Sequence, residues 1–304
     1  MLVVRDLRKQ YATGTTALAG ISFELRRGEV LAVLGPNGAG KTTMVEIATG
    51  SRPATSGSIE LLGEDPTSRS GMQRLRARVS VVAQSTGHLR YLSVRETLQL
   101  HRAYYGDPRG VQEVLELVGL GSSADKRVRQ LSGGQQRRLD LGVALIGRPE
   151  VIFLDEPTTG FDPAARRRSW EIIAGLAALG TSIVLTTHYM EEASTLADRV
   201  LVLRDGTIVG EGTPEDLAGS LALATRISAR LPEHVDVDEL PADVRSGFVE
   251  AGRFELRTTD ATKVLASLTG WAVQHGVELG ELSVEPPSLE DSYLALTELA
   301  EVEA

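Results

Sequence analysis

Cysteine is absent from the 304 residues. No disulfide framework, thiolate zinc site or cysteine nucleophile can therefore be built from this chain. No apolar run approaches the roughly 18 residues needed to span a bilayer. The opening residues, Met1-Leu2-Val3-Val4-Arg5-Asp6, lack a secretory pattern. The expectation is a chain neither secreted by that route nor membrane-spanning. Lysine is scarce, four against 28 arginines. There is no internal repeat and no low-complexity segment. What remains is ordinary for a globular protein: 42% hydrophobic and 24% charged residues. At roughly 150 residues per domain, the length allows two domains.

The charge is unevenly spread. Of the net −9, residues 1–220 hold 26 basic and 25 acidic side chains, whereas residues 221–304 hold 6 and 16. An acidic balance is a poor match for wrapping nucleic acid, so no nucleic-acid partner is expected. The concentration of acid beyond residue 220 suggests a separate module there.

Short apolar runs alternate with helical patterns through the first 220 residues. Val30–Leu34, Val151–Leu154 and Ile183–Leu185 are bounded by Gly, Asp, Glu or Thr and read as buried parallel strands. Trp170–Ala178 reads as a helix. Residues 2–10 and 16–26 look like antiparallel strands, and Arg204-Asp205-Gly206 marks a tight hairpin. Residues 88–150 read as a helical insertion: Ser93-Val94-Arg95-Glu96 is a capping-box pattern opening a helix at Thr97 and beyond, and Val111–Val118 continues with helical spacing. Thr213-Pro214 starts another helix. The tail is expected to run strand, strand (Arg253–Arg257), helix (Ala261–His275), strand (Glu281–Val284), helix (Leu289–Leu299). The fold class is α/β with a small α+β tail, divided as 1–220 and 221–304.

Three segments carry chemistry. Gly35-Pro36-Asn37-Gly38-Ala39-Gly40-Lys41-Thr42 matches G-x-x-x-x-G-K-[ST] in full, between an apolar strand and a helical stretch. Its glycines let successive N–H groups surround phosphate oxygens. The following helix adds its positive end. Lys41 supplies a mobile charge for the β- and γ-phosphates, and Thr42 a hydroxyl for Mg²⁺. Val151-Ile152-Phe153-Leu154-Asp155-Glu156 delivers two carboxylates to a sheet edge, where α/β folds bind ligands. Asp155 can hold Mg²⁺. Glu156 is placed to deprotonate a water. Leu131-Ser132-Gly133-Gly134-Gln135 is a second glycine-containing loop opening a helix, which Ser132 can cap while still facing an anion.

In this order, the segments resemble the nucleotide-binding subunit of an ATP-binding cassette (ABC) transporter, with Leu131–Gln135 matching the family's signature loop. The resemblance implies a P-loop NTPase (RecA-like) core with an antiparallel β subdomain and a helical insertion. It covers residues 1 to about 220 and assigns further positions. Tyr11 matches the aromatic that stacks on adenine. Gln84 matches the glutamine loop that contacts Mg²⁺ and the membrane partner. Asp162, in Thr159-Gly160-Phe161-Asp162, matches the loop crossing the dimer interface, and His188 matches the switch histidine at the γ-phosphate. ATP contacts are thus expected from Tyr11, Gly35 to Thr43, Gln84, Ser132, Gly134, Gln135 and Asp162. Mg²⁺ contacts are expected from Thr42, Gln84 and Asp155, and Glu156, His188 and Lys41 are expected to act in catalysis. Ala83 stands where Pro is common and Phe161 where Leu is usual; neither removes a reacting group.

The tail narrows the resemblance. Pro287-Ser288-Leu289-Glu290-Asp291-Ser292-Tyr293-Leu294 and Thr187-His188-Tyr189-Met190-Glu191-Glu192-Ala193 resemble daunorubicin-resistance-type (DrrA-like) ATPases, which work with separate ABC-2-type membrane subunits, usually as exporters. The implied assembly is a head-to-tail homodimer at the cytoplasmic face of the membrane, since in the family the phosphate and signature loops of one chain do not meet. The tail is expected to pack against its counterpart, with Ser288 capping the last helix, Asp291 returning toward that cap and Leu289, Tyr293 and Leu296 lining one face. Chromosome-maintenance ATPases are disfavoured by the lack of a heptad run, and translation factors of this class by the single cassette. An importer or signalling ATPase stays open.

Overall fold

The computed structural model describes residues 1–84, 87, 89–219, 224–232, 235, 237–245, 247–250, 253–285, 287 and 289–293. The chain divides into two compact units, Met1–Pro214 and Glu215–Ala304.

The first unit is built on two sheets. Strands β1 (Leu2–Gln10) and β2 (Thr16–Leu25) pair antiparallel where the sequence alternates. After β3 (Val30–Leu34) and helix α1 (Lys41–Ala48), strand β4 (Ser56–Leu61) returns to the free side of β1, giving the order β2-β1-β4. Helix α2 (Arg69–Leu75) leads to β5 (Val79–Val82). The helical insertion follows: α3 (Val94–Arg102), α4 (Val111–Leu117) and α5 (Gly133–Leu145). The chain then alternates through β6 (Val151–Asp155), α6 (Pro163–Ala178), β7 (Ser182–Thr187), α7 (Met190–Leu196), β8 (Arg199–Arg204) and β9 (Thr207–Gly212). The central sheet has the order β5-β6-β7-β3-β8-β9, parallel except for β9.

Every residue of β3, β6 and β7 is buried, which explains their unbroken apolar runs. Successive side chains serve different cores. Leu31, Val33, Val151, Phe153 and Val184 join the core beneath the antiparallel sheet and α1, whereas Val30, Ile152, Leu154, Ile183 and Leu185 join the core under the helical insertion. The β8–β9 hairpin turns at Asp205 (φ 47°) and Gly206 (φ 76°), the positive dihedrals an Asp-Gly type I′ turn needs.

Two helices begin earlier than the sequence suggests. α3 starts at Val94, not Thr97, because Ser93 Oγ accepts from Glu96 N at 3.1 Å and Glu96 Oε2 accepts from Ser93 N at 2.7 Å. The box pins the first turn one residue past its cap. α6 starts at Pro163, well before Trp170, since the Asp162 carboxylate accepts from Ala165 N at 2.8 Å and Pro fits the first helical position. Neither β4 nor α2 is evident from periodicity.

The second unit opens with α8 (Pro214–Gly219) and β10 (Thr225–Arg230), then β11 (Phe248–Glu250), β12 (Arg253–Thr258), α9 (Ala261–His275) and β13 (Gly280–Glu285). Its antiparallel sheet has the order β11-β12-β10-β13, and β11 is a strand the sequence did not signal. Ile227, Ala229, Phe254 and Leu256 pack with Val264, Leu268, Trp271 and Ala272, the inner stripe of α9. Residues 289–293 are helical. There Leu289 is buried, and Asp291 Oδ1 lies 3.7 Å from Arg257 Nη1. Ser288, Leu294, Leu296 and the rest of the expected helix lie outside the described residues. Among the described residues no helix is long and apolar enough to cross a membrane.

Phe153 is fully buried at the centre of the main sheet. Phe153→Ala is expected to cost about 3–5 kcal/mol. Followed by circular dichroism, that is a fall of roughly 6–20 °C in the melting temperature of the first unit.

Candidate active site

The phosphate-loop motif joins β3 to α1 at the carboxyl end of the parallel sheet. Two of its glycines are sterically required. A Cβ on Gly35 would sit 2.2 Å from the Leu203 carbonyl oxygen, and one on Gly40, at φ 106°, 2.3 Å from that of Ala17. Pro36, Asn37 and Gly38 are exposed at the loop's crest, and Ala39 is buried beneath them. Lys41, 4% exposed, folds back: Nζ donates to the carbonyl oxygens of Gly35 at 2.8 Å and Pro36 at 3.0 Å.

Strand β6 brings its carboxylates beside this loop. Thr42 Oγ1 donates to Asp155 Oδ1 at 3.4 Å, and Thr186 Oγ1, opposite on β7, donates to the same oxygen at 2.5 Å. Glu156 adopts φ 48°, rare for a residue with a side chain. Its N–H is held by the Thr186 carbonyl and hydroxyl, both at 3.1 Å. The turn aims a nearly buried carboxylate across the loop. Four groups converge on it: Lys41 Nζ at 3.3 Å, His188 Nδ1 at 3.5 Å, Thr159 Oγ1 at 3.1 Å and Gln84 Nε2 at 3.5 Å. Burial pushes the Glu156 carboxyl pKa up, but the Lys41 charge, the Thr159 and Lys41 hydrogen bonds and His188 outweigh it, and the net shift is downward.

Tyr11 meets the same helix: its hydroxyl is 3.0 Å from Thr43 Oγ1, and its ring lies 5.1 Å from Arg52 Cζ and 5.6 Å from Lys9 Nζ. Ser132 caps α5 in a capping box with Gln135, and Gln135 Nε2 also donates to Ser123 at 3.3 Å. A cleft of about 810 Å³ is lined by Gln84 and Glu156 together with Ser132, Gly134, Gln135 and Asp162; neither Lys41 nor Thr42 is part of its described lining. The expected residues thus form two groups. Lys41, Thr42, Asp155, Glu156, Gln84 and His188 are linked to one another by contacts or chain adjacency, whereas the signature loop and Asp162 line the cleft with Gln84 and Glu156 but without Lys41 or Thr42.

Three residues escape the sequence reading. Thr186 and Thr159 hold the carboxylates. Arg137, buried in α5, donates to the carbonyl oxygens of Ala83 at 2.5 Å, Pro157 at 3.2 Å and Asp155 at 3.2 Å, and pairs with Asp140 at 3.4 Å. It ties the signature helix to the ends of β5 and β6. An arginine and an aspartate three apart on an inward helical face was the available signal.

Oxygen donors suit a hard cation. Thr42 and Asp155 converge, and among the described residues no three His, Cys, Asp or Glu side chains form a cage. A hydroxyl and one carboxylate match Mg²⁺ held jointly with substrate phosphates. The site can therefore take a polyphosphate at the loop and offer an ionised carboxylate beside it.

Residues 18–159 match the family described as ABC transporter, and residues 225–288 match an ABC transporter domain-containing protein-like C-terminal domain. The chain is 33% identical over 318 residues to the doxorubicin resistance ATP-binding protein DrrA of Mycobacterium tuberculosis, covering 97% of this chain and 93% of that protein. It is 37% identical over 309 residues to the Nod factor export ATP-binding protein I of Ralstonia nicotianae, covering 98% and 94%. An ATP-binding cassette solved as a dimer in a post-hydrolysis state with ADP and phosphate superposes with a TM-score of 0.64 at 24% identity, over 70% of this chain and 98% of that one.

Because its folded-state pKa is lowered, Glu156 stabilises the fold above its unfolded pKa of about 4.3, and that contribution is lost as pH falls through the lowered value. In Lys41→Met the buried carboxylate loses its nearest cation, so burial dominates and its pKa rises. The variant is expected to lose about 3 kcal/mol or more at pH 7 and distinctly less at pH 4, where the carboxyl is protonated. Urea unfolding at the two pH values measures the difference; equal losses would show that the pair is not what stabilises the site.

Proposed function

The chain belongs to the DrrA-like ATP-binding subunits of ABC transporters, and from that premise we propose how its residues turn over ATP. It is an ATP-hydrolysing subunit of an exporter. Relatives named for drug resistance and Nod factor export leave the importer and signalling readings without support.

The convergence of Lys41, Gln84, Thr159 and His188 on Glu156, beside the phosphate-loop motif, carries the proposal. The loop from Gly35 to Thr43 holds the phosphates, and Tyr11 stacks on the base. Lys41 leaves the carbonyl oxygens of Gly35 and Pro36 for the β- and γ-phosphates. Glu156 then loses a cation that lowers its pKa and becomes more basic once substrate is in place. It accepts the proton of the attacking water, with Gln84 orienting that water and His188 contacting the γ-phosphate. Thr42, Asp155 and Gln84 would hold Mg²⁺, which neutralises developing charge on the phosphates.

Two chains pair head to tail, so that Ser132, Gly134, Gln135 and Asp162 of one cover the nucleotide at Lys41 of the other. That Lys41 and Thr42 do not line the cleft at Ser132 and Asp162 supports this, as does the dimeric state of the related cassette. Closure excludes water, and reopening drives an ABC-2-type permease from the cytoplasmic face of the membrane. The cargo is a drug-like, lipid or other small molecule. Residues 1–220 form the catalytic domain, and residues 221–304 an accessory module that steadies the pair.

Glu156→Gln keeps the shape but cannot accept a proton. Mg·ATP binding is expected to persist while steady-state turnover falls by about 10²–10⁴-fold. Near-normal hydrolysis would remove Glu156 from the role. Ser132→Arg should block closure but leave nucleotide binding intact. Mixing it with Lys41→Ala chains should restore one competent composite site per heterodimer, read as ATP-dependent association by analytical ultracentrifugation. No recovery, where parental chains do associate, would sink the two-chain site.

A further inference from the structure

His188 is loosely tied to its own site. Its Nδ1 is 3.5 Å from Glu156 Oε1, long for a hydrogen bond, and is buried with no hydrogen-bond partner. Rotation of an imidazole about its terminal torsion is otherwise broad. The ring nonetheless packs: its centroid is 4.1 Å from that of Tyr189, at a tilt of 40°. The Tyr189 ring also meets the guanidinium of Arg166, Cζ 4.3 Å from the centroid. Arg166 Nε is buried without an acceptor, so the ring face is a principal partner for that end of the group.

The same two helices meet again one turn on. Glu192, fully buried on α7, accepts on Oε1 from Trp170 Nε1 of α6 at 2.9 Å and from Thr158 Oγ1 at 2.7 Å. Thr158 stands two residues after Glu156. Arg166 stands one turn after Asp162, whose carbonyl accepts its N–H at 3.0 Å. Tyr189 occupies the N-cap of α7 yet gives it no side-chain cap. A Ser, Thr, Asn or Asp there would cap the helix but offer no ring.

We propose that Tyr189 and Arg166 are positioning residues that hold the His188 imidazole toward Glu156, with Glu192 anchoring α7 to α6. Stacking of this kind biases ring orientation by roughly two- to tenfold per contact. The device makes the orientation of the switch histidine depend on α6, the helix that Asp162 caps. It rests on the reading of His188 given above.

The test uses the full chain. Turnover and KM for ATP are measured together with the affinity for a fluorescent ATP analogue. Histidine-selective NMR is tractable because there are five histidines, and the His188 resonance is the one lost in His188→Ala. Tyr189→Ala is expected to lower kcat about tenfold with KM and affinity changed by less than about twofold. Tyr189→Phe, which keeps the ring, should recover most of that loss, and Arg166→Ala should lower kcat about threefold. The His188 resonance should move in Tyr189→Ala and Arg166→Ala. Adding Tyr189→Ala to His188→Ala should cost nothing more. An unmoved resonance with unchanged kcat, or a further loss in the double variant, overturns the proposal. Parental turnover in His188→Ala would instead overturn the role of the histidine itself, and the resonance would still decide whether the stack holds the ring.

Discussion

Taking a carboxylate out of water costs several kcal/mol unless cations and donors replace its hydration. Glu156, 8% exposed at the end of β6, has Lys41 at 3.3 Å, hydroxyl and amide donors, and an imidazole edge. Most of the site follows from meeting that cost. Lys41 must reach back over its own loop, so the loop carbonyls point inward to it. Glu156 must turn through a positive φ, so β7 supplies Thr186 to hold its N–H. The same pairing keeps the lysine near the place where phosphates are expected and gives the carboxylate a charge-dependent basicity.

The sheet makes this geometry reproducible. Parallel strands buried on both faces cannot slip by one residue without exchanging the contents of two cores. Leu31 and Val33 look to one side and Val30 to the other, and β6 divides Phe153 from Leu154 in the same way. Register between β6 and β7 therefore sets which threonine faces Asp155. Arg137 adds a second constraint by joining α5 to the backbone at Ala83, Asp155 and Pro157, so the signature helix is tied to the strand ends that carry the carboxylates.

Much of this was legible from residues. Strands of unbroken apolar composition, the Asp-Gly hairpin and the limits of α9 are set by local rules: burial on both faces, positive dihedrals, and a helix ended by Gly276 in the left-handed region. The starts of α3 and α6 were read too late because apolar periodicity begins after the caps do. Strands β4 and β11 were missed for a different reason. Each is short or rich in Ser, Gly and Glu, and each becomes a strand because a neighbour already presents an unpaired edge.

The candidate reacting groups were legible in the sequence alone, because phosphate cradling and proton acceptance each require particular residue types at fixed local spacing. The contacts among those groups were decided only by tertiary structure. Lys41, Gln84, His188 and the pair Glu156 and Thr159 come from four separate segments, and only the parallel order β5-β6-β7-β3 brings those segments to one sheet edge. The downward shift of the Glu156 carboxyl likewise depends on distances and burial, which no local pattern encodes. No local pattern in the sequence pairs Tyr189 with Arg166; they meet because α6 and α7, joined through β7, pack on each other.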